Sequence, residues 1–568
     1  TLFRSAPEGT LVCQIEDPIR RTAEYSPDSI KKLSDGSYVV KVPEYVTGWA
    51  KIGVKGAKSG DEITVTYAEK INSNGSVVKM GGSNGVSASW WPEFYIQTDT
   101  YISNGSDAVY EPKFSYYGFN YFQIWNYPGK LSADDITIYR VSNDVEVTGS
   151  FECSNELLNN LHHMMIISTQ NNLQGKPTDC PVWEKNGWLG DCNVMLDSLS
   201  YNFDMSNFMR NYVEIMQSCF EQYGILPQMV PTADWGVADH YVWNSLYVFA
   251  VENLATNYGM TYYMEEQYDT MSEYATNIAK TLRRAGWICS AGQLGDWVSP
   301  MGGENDAYNE SPNEGSAIVG TAYLYAMYSS MARMATALGK TSDASAFSKN
   351  AKNIYDAFNE KFYNARQGYY ESSEWSNNGP KRTKYRQTSQ LVAIAFGLVP
   401  DKYLSKVAAN LVKDVESKDY HLDTGCVGAK EILPVLCNLG YADVAYKIAT
   451  QTTYPSWGFM YEKGNGSLWE MWETSARSLG HYFLGSYDEW FYQYLAGITD
   501  VTAGYESFTI APCFIEGLDS VSCTEKTVRG LLESSWTREW NAVTMTVVVP
   551  FGSTANVVIP EGASFSAL

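Results

Sequence analysis

Short runs of alternating polar and apolar residues occupy the first quarter of the chain. The pattern is clearest at residues 38–42, 49–54 and 62–67, and it recurs at 99–102, 121–125 and 136–139. Turn residues such as Gly60 and Asp61 separate these runs. A two-residue period in short, regularly spaced segments is typical of strands. Residues 1–148 are therefore predicted to form an N-terminal β-sandwich accessory domain.

The pattern changes to helical spacing near Phe151. Ser154 is the predicted N-cap of a helix over residues 155–170, in which Leu157, Leu161 and Met164 recur on one face. Further helices are predicted at 192–220, 239–257, 262–285, 315–338, 342–361, 387–397, 402–415 and 476–495. Because no strands alternate with these helices, residues 149–497 are predicted to form an all-helical toroid of paired helices.

After Thr499 the two-residue period returns. It is visible at residues 508–512, 542–549 and 555–559. Residues 498–568 are therefore predicted to form a small C-terminal β-sandwich domain. The fold class that follows is multidomain, with an all-α central domain flanked by two β-domains.

The charge of the chain limits its partners. The 568 residues include 41 basic and 64 acidic side chains, which leaves a formal net charge of −23. Such an acidic chain is poorly suited to nucleic acid or to anionic membrane surfaces. No apolar run reaches the roughly 18 residues of a membrane helix, so no membrane association is expected. The acidic pI of about 4.7 suits either a secreted or a cytoplasmic bacterial protein.

Cysteine and histidine spacing gives no metal motif. The ten cysteines contain no C-x-x-C pair, and the five histidines contain no H-E-x-x-H pair. We therefore expect neither a metal nor another cofactor.

The densest chemistry lies in PTDCPVWEKNGWLGD, residues 177–191. It places Asp179, Glu184 and Asp191 beside Trp183 and Trp188, and its prolines and glycines exclude a regular helix. The carboxylates converge only if an irregular loop folds them around one point. Carboxylates with flat aromatic faces are what a pocket that binds a sugar and protonates its leaving group requires.

Each of these acids also has a structural interpretation. Asp191 precedes a helical pattern and could be only its N-cap, and Asp179 could be a turn residue. Glu184 could pair with Lys185 at the surface.

Three later loops repeat the same combination of residues. Asp234 is followed by Trp235 and Trp243, Asp296 is followed by Trp297, and LWEMWE at 468–473 contains Glu470, with His481 eleven residues further on. Any one tryptophan could fill the core and any one acid could cap a helix. Since all four loops share the pattern, we expect them to line one cavity at the mouth of the toroid.

These motifs together resemble glycoside hydrolase family 78 α-L-rhamnosidases. The similarity rests on GDEITVTYAE at 60–69, FSYYGFNY at 114–121, GSFECS at 149–154, the 177–191 segment, and LWEMW at 468–472. It spans essentially the whole chain. The resemblance implies an (α/α)6 barrel catalytic domain flanked by β-domains, in agreement with the hydrophobic pattern.

The resemblance also implies roles for individual residues. Glu184 is the expected general acid and Glu470 the expected general base of an inverting hydrolysis that releases terminal, non-reducing α-L-rhamnose from glycosides or oligosaccharides. The expected substrate-binding residues are Asp179, Trp183, Trp188, Asp191, Asp234, Trp243, Asp296, Trp297 and His481. Trp183 stands where the family commonly has arginine, which suggests a preference for a flat leaving group.

Two alternatives stay open at this stage. A different exo-glycosidase on an (α/α)6 barrel would use the same acids on another sugar. A non-catalytic carbohydrate-binding protein would keep the tryptophans without needing both Glu184 and Glu470. The expected partner is a rhamnose-containing glycoside or oligosaccharide, and a homodimer is one open state of assembly.

Overall fold

A computed structural model describes residues 11–78, 97–232, 236–290, 293–306, 313–372, 384–540 and 542–559. The N-terminal β-sandwich joins its described strands through one hydrogen-bonded network in the order β1-β8-β3-β7-β4-β5, with β2 and β6 also paired to β3. The strands are β1 Ile19–Tyr25, β2 Ser29–Lys32, β3 Tyr38–Val54, β4 Ser59–Ala68, β5 Thr98–Asn104, β6 Ala108–Tyr110, β7 Tyr117–Trp125 and β8 Ile136–Asn143.

The long strand β3 organises this domain. Its first part pairs with β7 and its second part pairs with β8, so the runs predicted at 38–42 and 49–54 are one strand. Alternate residues such as Val40, Ile52, Tyr67 and Phe119 point into a shared apolar core. The two-residue period therefore corresponds to one buried face.

The central domain is a ring of helices. Its helices are α1 Glu156–Gln170, α2 Leu189–Asn202, α3 Ser206–Tyr223, α4 Tyr241–Asn244, α5 Leu246–Tyr258, α6 Thr261–Arg284, α7 Ser316–Ala337, α8 Thr341–Phe362, α9 Gln387–Ala395, α10 Asp401–Ser417, α11 Cys426–Asn438, α12 Ala442–Ala449, α13 Trp457–Lys463 and α14 Asp488–Trp490. Helices α2, α5, α7, α9 and α11 contact one another in that order, and the segment 483–495 closes the ring between α11 and α2. Helices α3 and α6, α8, α10 and α12 pack outside them. The predicted barrel of paired helices is confirmed.

Three local predictions in this domain are wrong. Asn155, rather than Ser154, caps α1, because its side chain accepts the backbone N–H groups of Leu157 and Leu158. The helix predicted at 192–220 is two helices, since the chain is extended at Phe203 between α2 and α3. The helix predicted at 476–495 begins only at residue 483, with a 3-10 turn, α14 and a π-helical turn.

The C-terminal domain shares a strand with the segment that precedes the barrel. Strand β9, Gly149–Cys153, pairs with β16, and the sheet order is β18-β17-β16-β9. The remaining strands are β10 Asp296–Trp297, β11 Asn313–Glu314, β12 Tyr363–Asn364, β13 Tyr369–Tyr370, β14 Ile498–Thr499, β15 Ser507–Ile510, β16 Ser520–Thr527, β17 Gly530–Glu539, β18 Ala542–Val548 and β19 Thr554–Val557. The domain boundaries at 148 and 497 stay predictions. Within the described ranges, no helix combines the length and apolar character that a bilayer crossing requires.

Candidate active site

A cavity of about 80 Å³ lies at the end of the ring where the inner helices begin. It is lined by Asp179, Glu184, Trp188, Asp191, Trp243, Leu294, Trp297, Glu470, Arg477, His481 and Phe483. Both predicted catalytic acids and six of the predicted substrate-binding residues are thus brought to one place. Leu294, Arg477 and Phe483 were missed, because nothing in their local sequence distinguishes them from ordinary loop and core residues.

The loop at 177–191 is held together by Asp179. Its backbone N–H donates to the Asn186 carbonyl at 2.9 Å, and its carboxylate accepts the Asn186 backbone N–H at 2.8 Å. The Cys180 thiol donates to the other carboxylate oxygen at 2.8 Å. Asp179 therefore fixes the loop as well as facing the cavity, so its predicted turn role and its predicted site role coincide.

Two glycines let this loop lie close to its neighbours. A Cβ at Gly190 would lie 2.1 Å from the Trp243 ring, and one at Gly187 would lie 2.0 Å from the Val230 carbonyl oxygen. Any larger residue at either position would push the loop away from the wall of the cavity. The half-buried Glu184 is oriented by Trp188, whose indole N–H donates to its Oε2 at 2.8 Å.

The second acid comes from a loop that folds back on itself. The Glu470 N–H donates to the Ser478 carbonyl at 3.0 Å, and the His481 N–H donates to the Leu468 carbonyl at 2.9 Å. This pairing replaces the helix predicted from residue 476 onward. A Cβ at Gly480 would lie 2.5 Å from the Tyr45 ring, so the loop also packs closely against the N-terminal domain. As a result Glu470, which is 2% exposed, faces the same cavity as His481.

Arg477 lies between the two acids. Its Nη2 is 3.4 Å from Glu184 Oε1 and 3.1 Å from Glu470 Oε1, and its Nε is 3.4 Å from Glu470 Oε2. Because both Oε1 atoms lie beside one nitrogen, they are separated by at most about 6.5 Å. Residues 286 positions apart in sequence thus share one guanidinium group.

His481 pairs with Asp191 across the cavity. Its Nε2 lies 2.8 Å from Asp191 Oδ1, and both residues are buried. Trp188 is the N-cap residue of α2, so Asp191 lies inside the first turn instead of capping the helix. The structural interpretation of Asp191 as an N-cap is therefore wrong.

Two predicted substrate-binding residues lie outside the cavity lining. The buried Asp296 accepts the Thr388 hydroxyl and the backbone N–H groups of Gly425, Val427 and Gly428, so it caps the N-terminus of α11. Asp296 is therefore not part of the cavity lining, and its predicted contact with the sugar stays a prediction.

Trp183 lies behind Arg477. Its indole N–H donates to the Arg477 carbonyl at 2.8 Å, and the Arg477 guanidinium carbon lies 6.0 Å from its ring centroid. Trp183 therefore supports the arginine and is not part of the cavity lining. Asp234 falls outside the described residues, so its predicted role stays a prediction.

Comparison with known proteins identifies the family of this chain. Sequence models of three bacterial α-L-rhamnosidase domains match this chain: the concanavalin-like domain at 31–142, the six-hairpin glycosidase domain at 146–495 and the C-terminal domain at 497–566. The chain belongs to the α-L-rhamnosidases of glycoside hydrolase family 78.

Individual rhamnosidases are similar over nearly the whole chain. An α-L-rhamnosidase of Formosa agariphila is 30% identical over 98% of this chain and 59% of its own length. One of Streptomyces avermitilis is 28% identical over 97% of this chain and 51% of its own length. The chain therefore spans a little over half the length of these curated relatives.

Solved rhamnosidase structures share the fold. The α-L-rhamnosidase from Dictyoglumus thermophilum is 32% identical, with a TM-score of 0.89 over 98% of this chain and 60% of that one. The Streptomyces avermitilis α-L-rhamnosidase, solved in complex with L-rhamnose, is 26% identical, with a TM-score of 0.86 over 97% of this chain and 51% of that one.

Burial and neighbouring charge shift the pKa of two groups in this rhamnosidase-family site. Burial, followed by the charge of Glu184, raises the pKa of Asp179 to about 8. Burial alone would lower the pKa of His481, but the hydrogen bond and charge of Asp191 outweigh it and raise this pKa to about 9. At neutral pH His481 is therefore an imidazolium that balances part of the acidic charge in the cavity.

Asp179, Cys180 and His481 have ligand atoms within 4.8 Å of one another. The donor set nevertheless does not suit a metal at neutral pH. The Cys180 thiol donates to Asp179 at 2.8 Å, and burial raises the pKa of this thiol well above its ordinary value, so the thiolate that a metal ligand requires is disfavoured. His481 is an imidazolium paired with Asp191.

The N-terminal domain of this family member reaches the active-site loop through Glu69. The buried Glu69 carboxylate accepts the Tyr45 hydroxyl at 2.8 Å and the Leu479 backbone N–H at 3.0 Å. Burial raises its pKa to about 7. This contact fixes the loop two residues after Arg477.

Lys70 holds the other side of the same loop. Its ammonium group donates to the carbonyls of Thr474 and Ala476 at 3.3 and 3.1 Å. The accessory domain thus fixes the backbone on both sides of Arg477. None of these contacts could be predicted from local sequence, because 404 and 406 residues separate the partners.

Proposed function

We propose that the chain is the catalytic part of an inverting exo-α-L-rhamnosidase in which Glu184 is the general acid and Glu470 the general base. The observation that carries this proposal is the placement of the two carboxyl groups on either side of Arg477 in one small cavity. A binding protein would have no need to hold two distant acids around one guanidinium group.

The contacts of the two acids suit different roles. Glu184 accepts the Trp188 indole N–H on Oε2, so Oε1, which lies 3.4 Å from Arg477 Nη2, would carry the proton to the leaving oxygen once the arginine shifts. Glu470 lies on the facing loop and would remove a proton from the attacking water. An inverting pair typically stands about 6.5–9.5 Å apart to admit that water. The two Oε1 atoms here are at most about 6.5 Å apart, so the inverting reaction requires the two acids to separate as Arg477 shifts.

The cavity also suits a terminal sugar. At about 80 Å³ it is far smaller than the roughly 300 Å³ of common ligand pockets, so it accepts one sugar ring rather than an internal chain segment, and only after Arg477 shifts. Trp188, Trp243 and Trp297 offer apolar surface for the C6 methyl of a 6-deoxy sugar, while Asp191 and His481 offer partners for hydroxyls. The L-rhamnose complex of the similar Streptomyces avermitilis enzyme supports the same sugar.

The test is hydrolysis of aryl α-L-rhamnosides, with the first anomer released followed by NMR. We expect the β-anomer first in the unaltered protein. Retention of configuration would replace the inverting mechanism by a double displacement with a carboxylate nucleophile. Hydrolysis of a different aryl glycoside, with no hydrolysis of the rhamnoside, would be consistent with the roles of the two acids but would contradict rhamnose as the substrate.

Two variants separate the roles of the acids. Glu184→Gln should lose more activity on poor leaving groups than on activated ones, because only poor leaving groups need the proton. Glu470→Gln should lose about 10²–10⁴-fold on both. Glu473→Gln is the matched control, since Glu473 is buried in the same loop but accepts the Met301 N–H at 2.7 Å outside the cavity lining. Equal losses for all leaving groups in Glu184→Gln would contradict its role as acid.

A further inference from the structure

A second and larger cavity lies farther along the barrel. Its volume is about 680 Å³, within the range of small-molecule sites, and it is lined by α2 from Asn193 to Tyr201, by residues of α5, α7 and α11, and by residues 499–501. Tyr201 on its wall lies ten residues after Asp191 on α2, which corresponds to about 15 Å along the helix. No residue of the candidate active site contributes to this lining.

Two buried polar groups on its wall have no hydrogen-bond partner among the described residues. The Glu431 side chain is 7% exposed and makes neither a hydrogen bond nor an ion pair there. The Tyr323 hydroxyl, on a residue 3% exposed, is likewise free. Neither polar group is fully enclosed by protein, so both reach the cavity and are available to the hydroxyls of a ligand.

The two cations of the wall are already neutralised. Lys430 donates to Asp197 at 2.7 Å and to Glu489 at 2.6 Å. Arg333 forms two hydrogen bonds with Glu252, at 2.7 and 2.8 Å. Because both cations are paired, neither is free to bind an anion, and the Lys430 ammonium beside Glu431 disfavours an added cation there, so the electrostatics favour an uncharged ligand.

The rest of the wall combines rings with amides. Phe249, Tyr325 and Phe396 supply flat apolar surface, and Asn253 and Asn257 supply groups that both donate and accept. Burial raises the pKa of Glu431 to about 7, so its carboxyl group is able to accept from a hydroxyl or, when protonated, to donate to one. Mixed donors and acceptors with aromatic faces match a polyhydroxylated ring.

We propose that this cavity is a binding site for a neutral mono- or disaccharide, separate from the site of Glu184 and Glu470. Tyr323 and Glu431 hydrogen-bond its hydroxyls, and the aromatic rings cover its apolar faces. This site is independent of the catalytic proposal, because its residues neither touch the two acids nor need turnover to be detected.

Isothermal titration tests the proposal with a panel of L-rhamnose, D-glucose, D-galactose, maltose and cellobiose, each up to about 50 mM, which covers millimolar affinities. We expect at least one sugar to bind at this site. Ala326→Trp, which fills the cavity from α7, should abolish that binding. Tyr323→Phe, which removes one hydroxyl, should weaken it about fivefold.

Thermal unfolding of each variant checks that a loss of sugar binding does not come from a loss of folding. Both variants should have the same melting temperature as the unaltered protein. If Ala326→Trp does not fold, Thr256→Trp, at a half-buried position on the lining, replaces it. Sugar binding that is unchanged in Tyr323→Phe and in the filled variant would overturn the proposal. So would binding of putrescine in place of any sugar, which would indicate a cation site, or no binding by the whole panel, which would leave a water-filled cavity.

Discussion

The Asp191–His481 pair makes the stability of the barrel depend on pH. The pKa of His481 rises from an ordinary 6.5 to about 9, which corresponds to roughly 3 kcal/mol of favourable interaction with the imidazolium. Because the folded-state pKa is the higher one, the folded state binds the proton more tightly. The stabilisation is therefore complete below pH 6.5 and is lost as the pH rises through 9.

The perturbation is His481→Asn, compared with the unaltered protein in urea unfolding at pH 6 and pH 9.5. We expect the difference in unfolding free energy between the two proteins to shrink by roughly 3 kcal/mol between these pH values. Asp191→Asn should abolish the same pH dependence, because it removes the charge that holds the proton.

Asp179 beside the pair titrates in the same pH range, so the contribution of His481 must be separated from that of Asp179. The pKa of Asp179 is raised to about 8, so the ionisation of Asp179 also makes the folded protein less stable as the pH rises. The charge of Glu470 also acts on His481. Asp179 and Glu470 both remain in the variant, so their main contribution cancels in the difference between the unfolding free energies of the two proteins. His421→Asn, outside the site, is the matched control. A difference in unfolding free energy that stays constant from pH 6 to 9.5 would show that His481 does not bind a proton more tightly in the folded state.

Three further changes follow from the contacts around the cavity. Asp296→Ala leaves buried N–H groups of α11 without an acceptor, so it should lower the free energy of unfolding by about 3–5 kcal/mol. Urea unfolding measures this loss, and the KM of the protein that remains folded should be unchanged. Lys70→Met releases the loop that carries Arg477 and should lower kcat about tenfold with little change in melting temperature; an unchanged kcat would show that the loop holds without it. Arg477→Met removes the group that holds Glu184 and Glu470 side by side and should lower kcat/KM about tenfold, and an unchanged kcat/KM would contradict this positioning role.

The order and type of the domains could be predicted from the hydrophobic pattern of the chain alone. Strand and helix periods depend on which face of each element is buried, and that information is local. The 177–191 loop could be recognised as chemically unusual for the same reason, since prolines, glycines, acids and tryptophans are concentrated in one short stretch.

Helix ends and the 476–482 segment could not be predicted in this way. The segment has a helical pattern, yet pairing with residues 468–470 and contact with Tyr45 make it a loop. Here tertiary hydrogen bonds and close packing outweigh local propensity.

Which acids face the cavity depends on the tertiary fold and could not be predicted from local sequence. Asp191 and Asp296 each follow a glycine and lie close to a tryptophan in sequence, but Asp191 faces His481 in the cavity whereas Asp296 caps α11. Arg477 has no distinguishing neighbour in sequence, and its importance comes from lying between residues that are far apart along the chain. Charges act through distance in space, so a site assembled by closing a ring of helices becomes visible only once the ring is closed.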